Sequence, residues 1–223
     1  MDKALMLKSH GLIVSCQAVA GSPLKDARIL AAVAAEVISG GASALRLAGP
    51  DCVALVRGQT KKPIIGLTKT EREGFGPRIT CISSEIIELA KSGADLVAID
   101  GTDRKRPEPL KELFATAKAQ GMLIFADIAS LEEGINAAEL GADFVATTMA
   151  GYTDSRQLTD GPDFELLSSL IRNLRVPVVL EGRVDHPDHV KQGLDYGAYA
   201  VVVGRAITSP RDITRYFLKQ ISS

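Results

Sequence analysis

Glu181 follows the apolar run Val178-Val179-Leu180 and is itself followed by Gly182-Arg183. Burial disfavours a carboxylate's charged form, which suits such a group to trading a proton near neutral pH. The plainer alternative is an ion pair with Arg46 or Arg183. Arg46 lies inside the stretch Ala44–Ala48, where an unpaired charge is costly. It needs an anion, either a bound ligand or a carboxylate such as Asp127 or Glu181. Lys69 comes just past Pro63–Thr68. From position alone it reads as solvated, but apolar or cationic surroundings would lower its pKa and make it a base. Asp127, ending Leu123–Asp127, has the same two readings as Glu181. Asp100, before Gly101-Thr102, reads as bonding its own loop. Gln17, Thr147 and Arg205 complete the set of polar residues at the ends of apolar runs.

Gly182 and Gly204-Arg205 suggest a phosphate site. Barrels hold phosphate in the loops after their last two strands, against a helix start. Arg205 is either a direct ligand through a charge-assisted bond or a surface arginine. His10, His186 and His189 read as structural or solvated. No HExxH motif, Cys/His cluster or acidic set has metal spacing, so the expectation is no metal and no cofactor.

Positioning these residues takes short parallel strands, whose carboxyl ends gather the chemistry of α/β folds. Candidate strands are Leu12–Cys16, Ala44–Ala48, Ile64–Leu67, Leu96–Asp100, Leu123–Asp127, Phe144–Thr147, Val178–Glu181 and Ala200–Gly204. Helix-like segments cover 25–39, 52–58, 83–92, 108–119, 130–140, 162–173, 187–196 and 211–220. This alternation predicts a (β/α)8 TIM barrel in one domain, residues 1–223, with an open doubly wound sheet as the alternative. Gly41-Ala42, Gly93-Ala94, Gly141-Ala142 and Gly197-Ala198 recur every two βα units, each stopping a helix before a strand. Ser130 with Glu133 forms a capping-box pattern, and Asp185 with Pro187 marks the seventh helix start. Segments 70–80, 101–108 and 149–161 read as irregular loops on the active face.

The 223 residues are 46% hydrophobic with net charge −1, which points away from nucleic acid and anionic membranes. No apolar run approaches a membrane span. The N-terminal MDKALMLKSHG lacks a signal-peptide pattern, and Cys16, Cys52 and Cys81 have no disulfide or metal spacing. Both point to a reducing cytoplasm.

Seven motifs occur in order: LIVSCQA at 12–18, PIIGLTK at 63–69, AIDGTDRKRP at 98–107, ADIASLEEG at 126–134, TTMAGYT at 147–153, LEGRV at 180–184 and VVGRAIT at 202–208. Together they resemble the N-acylglucosamine-6-phosphate 2-epimerase family, also called the N-acetylmannosamine-6-phosphate 2-epimerase family. The resemblance runs nearly end to end. It implies a (β/α)8 barrel interconverting N-acetylmannosamine 6-phosphate and N-acetylglucosamine 6-phosphate in sialic acid breakdown, without nicotinamide or metal, commonly as a homodimer. It implies Lys69 as the catalytic lysine and Glu181 as its acid–base partner, with Gln17, Arg46 and Asp127 at sugar-binding positions. Where the family carries a phosphate-binding arginine after GxAIT, this chain has Ser209. Arg205 or Arg211 would supply the charge instead. The segment Thr70–Thr80 also departs from the family's pattern. Competing readings are another phosphosugar isomerase barrel and a non-catalytic sugar-phosphate sensor.

Overall fold

The structure is a computed structural model that describes residues 6–19 and 21–221. Residues 1–5 of the N-terminal stretch considered above lie outside the described residues. Ten strands are described: β1 (Gly11–Cys16), β2 (Ala44–Ala48), β3 (Ile64–Leu67), β4 (Lys69–Arg72), β5 (Gly76–Ile79), β6 (Leu96–Asp100), β7 (Leu123–Asp127), β8 (Phe144–Ala146), β9 (Val178–Glu181) and β10 (Ala200–Val203). The described helices are α1 (Ala27–Ser39), α2 (Pro50–Arg57), α3 (Ser83–Lys91), α4 (Leu110–Ala119), α5 (Leu131–Leu140), α6 (Phe164–Asn173), α7 (Pro187–Asp195), α8 (Arg205–Thr208) and α9 (Pro210–Ile221).

Eight parallel strands close into a barrel in the order β1-β10-β9-β8-β7-β6-β3-β2, and β1 also pairs with β2. The fold is thus the (β/α)8 barrel and not the open sheet. Its strands are short apolar runs because both faces are covered. Residues alternate between two cores, as a period of two requires. Ile13, Ile65, Ala98, Phe125, Phe144, Val179 and Val202 fill the barrel interior. Val14, Leu45, Ile64, Val97, Ile124, Val145 and Leu180 pack outward with helix residues such as Leu89, Phe114 and Leu170. Each buried Val, Leu, Ile or Phe contributes about 1.5–3 kcal/mol relative to exposure.

Aromatic side chains fill the lower interior. Phe125 and Phe144 stack with centroids 6.3 Å apart, and Tyr199 stands 5.8 Å from Phe144. The Tyr199 hydroxyl donates to the carbonyl of Leu7 at 2.7 Å, drawing that buried residue under the barrel.

Several local features differ from the sequence reading. Segment 70–80 is not irregular: β4 and β5 form an antiparallel hairpin, with Lys69 opposite Ile79 and Arg72 opposite Gly76. Its strands escape a search for apolar runs because Lys69-Thr70-Glu71-Arg72 is polar on both faces. The one-turn α8 was also missed, being too short to show periodicity. The α7 cap is His186 and not Asp185: the imidazole of His186 accepts from the Asp188 backbone N–H, and Pro187 opens the helix. The capping box at Ser130 and Glu133 is present in full. Gly141 ends α5 in the left-handed region at φ 94°, and Gly41, Gly93 and Gly197 occupy that region too.

Candidate active site

The alternation that fills the barrel with apolar side chains brings polar ones to its axis at the carboxyl ends. Two residues beyond Ile13 comes Ser15, then Gln17; two beyond Ala44 comes Arg46; two beyond Leu67 comes Lys69. Asp100, Asp127 and Glu181 follow Ala98, Phe125 and Val179 in the same way. Above them opens a cleft of about 1000 Å³ bordered by Gln17, Lys69, Thr148, Glu181, Gly182 and Arg205, among others.

Under this cleft lies a buried ion network. Arg46 donates from Nη1 to Asp127 Oδ1 at 2.9 Å and from Nη2 to Oδ2 at 2.6 Å, a bidentate fork. Its Nη1 also lies 2.9 Å from Glu181 Oε2. That contact is close but out of line, leaving Oε2 a buried oxygen without a hydrogen bond. The guanidinium rests over the Phe125 ring at 5.3 Å. Burial works against the Arg46 charge, but Asp127 and Glu181 outweigh it and hold the group protonated. Of the two partners left open from sequence, the structure supplies both. Arg46 is only 1% exposed and Asp127 0%. Neither borders the cleft.

Glu181 and Lys69 are shifted toward each other. Burial, followed by the charge of Asp127, outweighs Arg46, Thr148 and Lys69 and pushes the Glu181 carboxyl up to about 7. Lys69 is exposed to solvent in the cleft, whose walls enclose its ammonium only in part. That enclosure, and next the positive Arg46, lower its ammonium pKa against the pull of Glu181 and Asp127. An amine made easier to deprotonate therefore shares a cleft with a carboxyl made easier to protonate.

Thr147 does not reach the cleft. It is 1% exposed, and its hydroxyl donates to the Glu181 carbonyl at 2.9 Å and accepts the Glu181 N–H at 3.0 Å. The neighbouring Thr148 borders the cleft and donates to Asp127 Oδ1 at 2.5 Å. Counting in twos from Phe144 and Ala146, both interior, lands on Thr148. The sequence held that signal, and the expectation at Thr147 was one residue out of phase. Asp100 does bond its own loop, accepting from the Thr102 N–H at 3.1 Å and hydroxyl at 2.5 Å and from Arg104 at 2.5 Å. Gln17 donates to the Ser15 hydroxyl at 2.6 Å, while its buried amide oxygen has no partner.

Gly182, Gly204 and Arg205 border the cleft together, and Arg211 does not. Gly182 adopts φ 108°, which favours glycine, and Arg183 follows at φ 54°. Arg183 also borders the cleft, but its guanidinium is occupied. It donates to the carbonyls of Gly161 at 2.8 Å and Ala150 at 2.7 Å and to the Thr159 hydroxyl at 2.8 Å, and it lies 5.4 Å from the Tyr152 ring centroid. Ser209 stands apart from this set: its hydroxyl donates to Asp212 Oδ2 at 2.7 Å and accepts the Asp212 N–H at 3.3 Å, capping α9. Among the described residues, no group of three or more His, Cys, Asp or Glu side chains is placed to hold a metal ion.

Residues 30–223 match a family model described as "Putative N-acetylmannosamine-6-phosphate epimerase". A protein of Clostridium perfringens (strain SM101 / Type A), named "Putative N-acetylmannosamine-6-phosphate 2-epimerase", is 43% identical over 92% of this chain and 94% of its own. A protein of the same name from Cutibacterium acnes is 41% identical over 97% and 96%. The solved structure of the N-acetylmannosamine-6-phosphate 2-epimerase from Clostridium perfringens superposes with a TM-score of 0.93 at 41% identity, covering 96% of this chain and 94% of that one. A thiamine phosphate pyrophosphorylase from Pyrococcus furiosus, at 17% identity and a TM-score of 0.61 over 99% of both chains, shares the fold alone. With its lysine and carboxyl bordering one cleft above a buried arginine, and with matches of this extent, the chain belongs to the N-acetylmannosamine-6-phosphate 2-epimerase family.

Proposed function

We propose that Lys69 and Glu181 carry the proton transfers by which this enzyme, an isomerase, interconverts N-acetylmannosamine 6-phosphate and N-acetylglucosamine 6-phosphate. The observation that carries this reading is the pair of opposed shifts, Lys69 down and Glu181 up, in one cleft. The substrate's carbon 2 becomes acidic when the sugar opens, because carbon 1 is then an aldehyde. Neutral Lys69 takes the proton from carbon 2, and the electron pair moves onto the carbon 1 oxygen. Protonated Glu181 hydrogen-bonds to that oxygen as charge builds there, which is the moment such help counts. Glu181 then gives its proton to the opposite face of carbon 2, the electron pair on oxygen re-forms the carbon 1 aldehyde with the centre inverted, and the proton held by Lys69 passes through water to Glu181 to reset the pair.

Arg46 and Asp127 act from below the cleft. Their fork fixes the charge that Lys69 and Glu181 experience, while Thr148 holds Asp127 in place. Gly182, Gly204 and Arg205 receive the phosphate. Arg205 takes the charged role because it borders the cleft, whereas Arg211 does not. Gln17 offers its unpartnered amide oxygen to a substrate N–H or hydroxyl. Arg183 contributes by holding the loop between β8 and α6 and by its charge, since its donors are already taken.

The same reading treats the chain as one domain acting as a homodimer in the cytoplasm. Supporting the dimer, α9 exposes Tyr216, Phe217, Leu218 and Ile221. Supporting the compartment, Cys16, Cys52 and Cys81 are free and buried. Among the described residues, no helix is long and apolar enough to cross a membrane.

The test is proton NMR with N-acetylmannosamine 6-phosphate in deuterium oxide with chelator present. The expected result is N-acetylglucosamine 6-phosphate deuterated at carbon 2, with both product and exchange lost in Lys69→Ala. Exchange that persists in Lys69→Ala removes the lysine from its role. Line broadening of the substrate without turnover by the unaltered protein would point to a sensor.

A further inference from the structure

Lys69 is the first residue of the hairpin, and the strand that carries it is gripped from behind. Side chains alternate along a strand, so Lys69 and Glu71 share one face of β4 while Thr70 and Arg72 share the other. That other face meets one carboxylate. Glu85, in the first turn of α3 and 5% exposed, accepts on Oε1 from the Thr70 hydroxyl at 3.0 Å and from Arg72 Nη2 at 3.0 Å. Its Oε2 accepts the Cys81 backbone N–H at 3.0 Å, just past β5. The base of the hairpin is closed separately: the Thr68 N–H donates to the Thr80 hydroxyl at 3.0 Å, and the Thr80 N–H to the Thr68 carbonyl at 3.2 Å. A two-stranded hairpin is marginal by itself, so its placement depends on such anchors.

We propose that Glu85 is a positioning residue for Lys69, gripping the back of β4 through Thr70 and Arg72 so that the amine on the front stays over the cleft. The proposal rests on Lys69 being the proton-transfer base. Glu85 acts through the hairpin and not through its own field. The charges acting on Lys69 are Arg46 on β2, Glu181 on β9 and Asp127 on β7. Those facing Glu85 are Arg72 on β4 and the Cys81 thiol after β5. When the grip is lost, the Lys69 ammonium moves off the cleft wall and away from Arg46, and its pKa rises toward that of an ordinary lysine. Fewer molecules then hold the neutral amine above carbon 2.

The experiment compares Glu85→Gln, Arg72→Ala and Thr70→Val with the unaltered enzyme and with Lys69→Ala. It measures kcat, KM, carbon 2 exchange and the titration of Lys69 by competitive trace acetylation read by mass spectrometry. The expected result for Glu85→Gln is a kcat lower by about 10- to 100-fold, the scale of a slightly misplaced catalytic group. Its KM should stay within about twofold, and the Lys69 titration should move to higher pH. Arg72→Ala and Thr70→Val should shift the same quantities in the same direction by less. Should Glu85→Gln fail to fold, Arg72→Ala carries the test, because that side chain is 37% exposed. Wild-type kcat and Lys69 titration in the folded variants, with Lys69→Ala inactive, would overturn the positioning role alone. A lowered kcat with an unmoved Lys69 titration would also overturn it, by marking general destabilisation. Exchange that survives in Lys69→Ala would remove the base itself, and the positioning role with it.

Discussion

On the proposed mechanism, Glu181 and Lys69 act as a proton-sharing pair. With the carboxyl held up to about 7 and the ammonium pushed down, the working state carries one proton between the two groups. Below the lower of the pair's two apparent pKa values both groups are protonated, and the base is lost. Above the higher one neither is protonated, and the acid is lost. The kcat profile is therefore expected to be bell-shaped, its limbs belonging to the pair and not to either residue. Glu181→Gln removes one ionisation, so the bell should become a single limb that rises with pH as Lys69 deprotonates, at a lower maximum. A falling alkaline limb retained in that variant would assign the acid elsewhere. Thr148 makes a second case. Replacing it with Val removes a hydrogen bond to a charged carboxylate, worth about 1.5–3 kcal/mol, or about 10- to 100-fold in kcat if Asp127 turns away. Thr148→Ser should keep most of the activity, and kinetics of the two variants side by side checks this. Thr148 was legible from the period-two phase, and so were Arg46's two candidate partners, but not that both would pair with it. A buried arginine announces that it needs an anion, but spacing along the chain does not say which of Asp127 and Glu181 the closed barrel brings against it.

The eight barrel strands were legible because burial on both faces leaves apolar runs, and their ends fall within about one residue of the sequence reading. The hairpin left no such trace. Its strands are held by a carboxylate contributed from α3 and by the Thr68–Thr80 pair, contacts that exist only once the barrel has formed. The loop between β8 and α6 is likewise ordered by a residue outside it. Arg183 makes three hydrogen bonds to it and covers Tyr152. Arg183→Ala should loosen residues 150–161, seen as faster amide hydrogen exchange there. It should raise KM by about tenfold while changing kcat less, the pattern of lost binding rather than lost chemistry. Arg183→Lys should recover little, because a single ammonium cannot serve three separated acceptors with a planar fork's geometry.

At the scale of the whole molecule, the closed sheet followed from eight alternating units and a glycine-alanine repeat every two of them. The exposed apolar face of α9 did not. Its Phe217 is 65% and Ile221 80% exposed, an apolar face suited to a second copy of the chain. Phe217→Glu should therefore move the protein toward monomer, and sedimentation velocity would read this directly. Equal sedimentation of the variant and the unaltered protein would remove α9 from the proposed contact between copies.

The stacked Phe125 and Phe144, the tilted Tyr199 and the buried Leu7 close the barrel from below, beneath Arg46. The reacting chamber is a blind well, and hydrogen lifted from carbon 2 can trade places with water only through its mouth. The ratio of hydrogen retained to deuterium acquired in the product then works as a stopwatch. It times reprotonation against exchange with water at that mouth, and any change that widens the mouth should push the product toward full deuterium content even where the chemical step is untouched.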